Sequence, residues 1–414
     1  VEYVAQIVDE KTGGKNMSRK ALKLTFATLI VGAYAFASLG ATQSPSSIAE
    51  KSASDIAQLA QKFPFKNWGL INSRSHSSID APDAWKIEEG SKDIVVAVID
   101  TGIDASNKDL SKNLWKDPNS KDKNIYGWNF VTDQANPNDD HGHGTHVAGI
   151  IGATADSDNG MSGVAHKVSI MAVKYYSESN PGSVNLKNTV RAINYAVEHG
   201  ARIINYSGGG PEFAEDEYLA IKKAEAKGVL FVSAAGNEHQ NTDLSENYYY
   251  PAAYRLTNIL SVASTDINNN LLPSSNWGKT HVDVAAPGEN IYSTLPGGRF
   301  GYMTGTSQAT AFVTGIAALL LSKDPTLTPV QLKEIIMASV DRFPQLESKL
   351  VTGGRVNAYA ALLSLQNKGQ PKKQLIALKA DRTQASVPVS HTPAAQHSDP
   401  SANFMDNLFE AAGF

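Results

Sequence analysis

The sequence predicts an α/β protein with a mostly parallel central sheet and helices on both faces. Three observations carry that reading. Short β-branched runs at Ile94–Ile99, Val168–Lys174, Arg202–Tyr206, Val229–Ala234 and Ile259–Ala263 suit strands buried on both faces. Helical patterns lie between and after them, at His143–Ala153, Leu186–His199, Glu215–Lys227, Ser307–Ser322 and Pro329–Ser339. Strands separated by helices of that length argue for βαβ units, whose helices cover the sheet. The chain has 414 residues, 42% of them hydrophobic, which is enough for a sizeable core.

The N-terminal residues read as a targeting segment. Met17 opens a stretch with Arg19, Lys20 and Lys23, followed by the uncharged apolar run Leu24 to Leu39. Ala35-Phe36-Ala37 then offers a small-x-small cleavage pattern, with Gly40-Ala41 as a second candidate. Together these predict a signal peptide over residues 17–41. The alternative is a membrane anchor, and the run falls short of the ~20 apolar residues an anchor requires. A secreted or periplasmic protein is therefore expected, touching the membrane only through this segment before cleavage. Residues 1–16 fit no part of such a signal and are expected to lie upstream of the true start.

Residues 42–67 are polar and rich in Ser, Ala and Gln, which reads as a linker or short pro-segment with one helical stretch at Ile48–Phe63. The strand and helix patterns occupy 68–365. Beyond them, 366–414 is a low-complexity tail of Gln, Lys, Pro, Ser and His, expected to be disordered. Phe404, Met405, Leu408 and Phe409 recur there at helical spacing. With 37 basic and 41 acidic side chains the net charge is −4, which predicts no electrostatic affinity for nucleic acid. The absence of cysteine excludes disulfides, thiolate zinc sites, iron–sulfur clusters and cysteine nucleophiles.

Four segments bear chemistry. Val95-Val96-Ala97-Val98-Ile99-Asp100 delivers a carboxylate to the C-terminal end of a strand, where catalytic groups gather in open α/β sheets. Phosphate-handling enzymes place an Asp likewise, Asp104 would suit them too, and Asp100 could simply cap the following turn. His141-Gly142-His143-Gly144-Thr145-His146 carries three histidines in six positions, which invites a metal reading. His199, His239 and His281 could add ligands, but the binuclear-zinc hydrolase pattern has an Asp where Thr145 stands. The small residues around His143 fit a helix start packed close to another backbone. Gly305-Thr306-Ser307-Gln308 leads into an apolar helix, so Ser307 is either an N-cap or a hydroxyl held where the helix dipole favours negative charge. Ser233-Ala234-Ala235-Gly236-Asn237 ends a strand with an amide donor.

With these segments the chain resembles the subtilisin-like serine proteases, from about Trp68 to Leu365. The matching motifs are VIDTGID around Asp100, HGTHVAG from His143, INYSGGGP from Ile204, SAAGN ending at Asn237 and GTSQAT around Ser307. Their order along the chain, Asp then His then Ser, is the family's order. The resemblance implies a secreted serine endopeptidase in which Ser307 is the nucleophile, His143 its general base and Asp100 the group orienting the imidazole. It makes Asn237, with the Ser307 amide, the oxyanion hole. Ser207, Gly208 and Gly209 resemble the edge segment on which a substrate pairs as an added strand. Departures from the family pattern, Ala311, Phe312 and Thr314 in the helix after Ser307, bear on packing rather than on the reacting groups.

The resemblance implies two further features. Asp109 stands where the family places a calcium-binding carboxylate, and the loop with Asp156, Asp158 and Asn159 resembles the partner loop, so structural Ca²⁺ is expected. The specificity pocket would be formed by the edge segment, by Ala235 and Gly236, and by the segment before Tyr250-Pro251-Ala252. Tyr249 falls where familiar subtilisins keep a glycine, whereas Gly208 replaces a bulkier residue. A tyrosine turned inward would favour small or medium side chains before the scissile bond, and one turned outward would leave the pocket alone. A monomer acting on proteins or peptides is expected. Two other classes compete: a catalytically silent binding protein on the same fold, and a zinc-dependent hydrolase built on His141, His143 and His146.

Overall fold

A computed structural model describes residues 67–71, 77–122, 124–156 and 160–366. The predicted signal peptide, the helical stretch Ile48–Phe63, the C-terminal tail after Gln366, Asp158 and Asn159 lie outside the described residues. None of the described helices is long and apolar enough to cross a membrane.

Among the described residues one sheet is formed by β1 (Gly90–Asp100), β2 (Gly127–Asn129), β3 (Lys167–Lys174), β4 (Ile203–Tyr206), β5 (Leu230–Ala234), β6 (Ile259–Thr265), β7 (Val284–Pro287), β10 (Asp341–Arg342) and β11 (Gly354–Arg355). These nine strands run in the order β10-β11-β7-β6-β5-β4-β1-β3-β2. All neighbours are parallel except β10 and β11. A separate antiparallel hairpin joins β8 (Ile291–Leu295) to β9 (Arg299–Met303).

Alternation along the strands distributes the core between two faces. Val96, Val98, Ile170 and Ala172 point to one side, into a cluster with α1 (Ala81–Trp85), α3 (His143–Gly152), α6 (Thr306–Lys323), α7 (Pro329–Ala338) and α9 (Ala358–Gln366). Ala97, Ile99, Met171 and Val173 point to the other, into a cluster with α4 (Gly182–Glu198) and α5 (Glu215–Ala226). Two further short helices are α2 (Lys108–Ser111) and α8 (Pro344–Glu347). Because both faces are covered, the strands are apolar almost throughout.

Helix α6 is buried from Thr306 to Leu321, the mark of a helix with protein on all sides. Its departures from the family pattern pack into this core. Phe312 lies against Gly69, and the Thr314 hydroxyl donates to Asn205 Oδ1 on β4 at 2.8 Å. The chain runs from β1 to the edge strand β2, returns to β3 beside β1, then crosses to β4 on β1's other side. That reversal of direction opens a crevice at the carboxyl end of β1, where open α/β sheets bind their ligands.

Candidate active site

Asp100 is the last residue of β1, in register with Lys174 on β3, and is buried. Its Oδ1 accepts the Thr101 amide at 2.7 Å and contacts His143 Nδ1 at 2.7 Å. Capping the turn and holding an imidazole are thus two uses of one carboxylate, and the two readings do not compete. Lys174 steadies the strand end, its ammonium donating to the Thr101 carbonyl at 2.7 Å and to Asp140 at 2.6 Å.

His143 is the first residue of α3 and has no exposed surface. It reaches Asp100 because the helix start lies against the strand end. A Cβ on Gly144 would collide with the Gly102 carbonyl oxygen and approach Asp100 Cβ to 3.1 Å, so only glycine permits this closeness. A second carboxylate, Asp139, secures the helix start. Its Oδ1 accepts the His141 and Gly142 amides at 3.0 and 2.8 Å, and its Oδ2 accepts the Thr145 amide at 2.9 Å. Thr101 Oγ1 donates to Asp139 Oδ1 at 2.9 Å and accepts the Gly144 amide at 2.9 Å, tying strand to helix. Sequence reasoning missed Asp139 as a functional residue. An Asp two and three residues before the amides it binds is nevertheless a turn signal.

Burial opposes a charge on His143, but the Asp100 carboxylate and its hydrogen bond, with Asp139 beyond, outweigh it and raise the imidazole above its ordinary value. The neighbouring histidines move the other way. Burial, then the nearby His143, pushes His146 down to about 3, and the same causes lower His141. The three rings also face different partners: Glu178 for His141 at 3.2 Å, Asp100 for His143, and the Gly301 carbonyl for His146 at 3.3 Å. Among the described residues no three His, Asp or Glu side chains are grouped to hold a metal. His199 stacks on Tyr195, His239 meets the Pro273 carbonyl and His281 pairs with Asp243, so each has its own partner.

Ser307 is the second residue of α6, and Gly305 occupies the N-cap position, so the serine does not cap the helix. Its hydroxyl donates to the Ser207 carbonyl at 3.3 Å, and the Ser207 hydroxyl donates to the Ser307 carbonyl at 3.4 Å. Helix α6 packs on both α3 and β1, which carry His143 and Asp100. Asn237 Oδ1 accepts the Thr306 amide at 3.0 Å and Thr306 Oγ1 at 3.2 Å. Those two donors fix which way the amide is turned. Asn237 Nδ2 is buried and has no hydrogen-bond partner among the described residues.

The edge segment is anchored where Gly210 and Tyr250 exchange amide–carbonyl hydrogen bonds at 2.9 and 2.7 Å. Gly208 lies against the Tyr175 and Tyr206 hydroxyls. Tyr249 is buried, and its ring occupies the space between Gly209 and Gly236, 3.0 Å from where a Gly236 Cβ would stand. The ring is turned inward, between the edge segment and the turn that follows Ala235.

At the expected calcium position, Asp109 is buried and its Oδ2 accepts the Met161 amide at 3.1 Å, so this carboxylate faces the end of the 156–160 loop. Asp156 is turned to Lys112 Nζ at 2.8 Å and to the Thr154 hydroxyl. Asp109 thus brings one buried carboxylate oxygen to this position, while Asp156 is engaged by a lysine.

The description "Subtilase family" belongs to a family model that matches residues 91–371 of the chain. The chain is a subtilase. It is 42% identical over 248 residues to the major intracellular serine protease of Bacillus subtilis, covering 59% of this chain and 73% of that protein. It is 37% identical over 284 residues to thermitase of Thermoactinomyces vulgaris, covering 69% of this chain and 93% of that one. Subtilisin DY of Bacillus licheniformis is 38% identical over 241 residues, 58% of this chain and 81% of its own. Membership makes the chain a serine-type endopeptidase acting on proteins or peptides.

Proposed function

We propose that this subtilase is exported and cleaves peptide bonds through an acyl-enzyme on Ser307, with His143 as base and Asp100 as orienting carboxylate. The observation that carries the reading is the buried 2.7 Å contact between His143 Nδ1 and Asp100, at the strand end against which the Ser307 helix packs. A serine hydroxyl is a poor nucleophile until a positioned base takes its proton. Ser307 Oγ leaves the Ser207 carbonyl, passes its proton to His143 Nε2 and attacks the substrate carbonyl carbon. Asn237 Nδ2 and the Ser307 amide hold the oxyanion. His143 returns the proton to the leaving amine, and water releases the acyl group by the reverse sequence. The substrate strand pairs along Ser207-Gly208-Gly209, where no hydrogen bond among the described residues uses the Gly208 or Gly209 amide. Export rests on the leader pattern at 17–41 alone. One relative is named an intracellular protease, so membership of the family is silent on compartment.

Ser307→Ala and His143→Ala should each nearly abolish hydrolysis, and the double variant should be little worse than either. His141→Ala and His146→Ala should be much milder. The base must be neutral to act, so kcat/KM should fall on acidification with a half-point above the ordinary imidazole value of about 6.5. Asp100→Asn should lower that half-point and reduce kcat by about 10⁴, the magnitude known for the same change in an unrelated triad enzyme. Damage from His141→Ala equal to that from His143→Ala would reassign the base.

With Tyr249 between Gly209 and Gly236, the pocket favours small or medium side chains before the scissile bond over Phe or Tyr. Lost packing of a few methylenes discriminates by only ~1–3 kcal/mol, so the preference is broad. Profiling a peptide library should show Tyr249→Gly gaining large aromatic substrates. An unchanged profile would remove Tyr249 from the pocket.

Calcium is proposed to bind Asp109 together with oxygens of the 156–160 loop, stabilising the folded state by mass action. Millimolar calcium should raise the thermal midpoint of metal-stripped protein, and Asp109→Asn should abolish that rise. An unchanged midpoint in the parent protein excludes the site.

A further inference from the structure

Gln308 follows the nucleophile directly, in the first turn of α6, and is fully buried. Neither Oε1 nor Nε2 has a hydrogen-bond partner among the described residues. A buried amide without partners destabilises the fold, since it loses its water and gains nothing. At a position that only fills a core, an unbranched apolar side chain of the same length would serve stability better. Few such groups persist in folded proteins, and a catalytic role is one reason for those that do.

Asn237 is in the same condition nearby, its Oδ1 held by Thr306 and its Nδ2 buried without a partner. The two amides flank one spot. A Cβ on Gly305 would lie 3.4 Å from Gln308 Oε1, and 3.4 and 3.5 Å from Asn237 Oδ1 and Nδ2. Glycine at 305 leaves that space open between them. Both side-chain amides thus border the space at Gly305, beside Ser307, at a helix start whose amides and dipole already favour negative charge, and with neither Gln308 atom bonded its amide is free to turn Nε2 into that space.

We propose that Gln308 is a further catalytic residue, its Nε2–H donating to the substrate carbonyl oxygen beside Asn237 Nδ2 as negative charge builds there. The inference rests on the acyl-enzyme reading of Ser307 and adds a third donor to its oxyanion hole. A hydrogen bond to a charged oxygen in a dry site is stronger than one to a neutral carbonyl, so its effect falls on turnover rather than on binding.

The test compares Gln308→Met with wild type, using kcat per titrated active site, KM, the thermal midpoint and inhibition by a peptide aldehyde. Addition of the serine hydroxyl across the aldehyde carbonyl forms a tetrahedral hemiacetal that presents the same oxygen. Methionine keeps the length and removes the amide. The expected result is a kcat lowered roughly 10- to 100-fold, with aldehyde affinity weakened in parallel. KM should stay within about twofold, and the thermal midpoint should be unchanged or higher. A kcat per titrated site within about twofold of wild type, or unaltered aldehyde affinity, overturns the role. Wild-type protein that neither hydrolyses peptides nor titrates would instead overturn the acyl-enzyme reading beneath it.

Discussion

The contact between Asp100 and His143 joins the end of a central strand to the start of a helix, and the rest of the site is arranged around it. Both groups are withdrawn from water, which by itself disfavours a charge on the imidazole. Proximity and the 2.7 Å hydrogen bond offset that cost and hold the ring in one orientation. The contact requires the helix to approach the strand more closely than a side chain at 144 would allow. It also requires the helix start not to fray, and Asp139 supplies this by binding three of its amides and the Thr101 hydroxyl.

The second half of the site depends on α6. A helix buried on every side has one orientation open to it, so Ser307 and Gln308 are delivered as rigidly as the sheet itself. Asn237 is locked onto this helix through Thr306, which couples the amide donor to the nucleophile's own backbone. Such preorganisation is what lets a donor act at the moment charge develops, without reorganising first.

Strands β1, β3, β4, β5 and β6 were legible because both of their faces are apolar, leaving runs of β-branched residues. The hairpin of β8 and β9 was not, since Tyr292, Ser293 and Thr294 mix polarity and the Pro296-Gly297-Gly298 turn reads as loop. Helix α4 starts at Gly182 rather than Leu186, because its first turn carries no apolar periodicity. Sheet order follows from contacts distant in sequence, which no local pattern encodes. Within the site, Asp100, His143, Asn237 and Ser307 stood out as chemical groups in recognisable motifs. Asp139 acts through backbone amides, and Gln308 is conspicuous only once burial shows that its amide has no partner.

The account centres on Ser307 as a nucleophile activated by His143. Treating the protein with a serine-directed organophosphonate, with and without a chelator, and locating the adduct by mass spectrometry tests this directly. One equivalent of label on Ser307, lost in His143→Ala and unaffected by the chelator, is the expected result. Chelator-sensitive hydrolysis without labelling would contradict it in favour of a metal-dependent hydrolase, and silence in both assays would leave a binding protein on a protease fold.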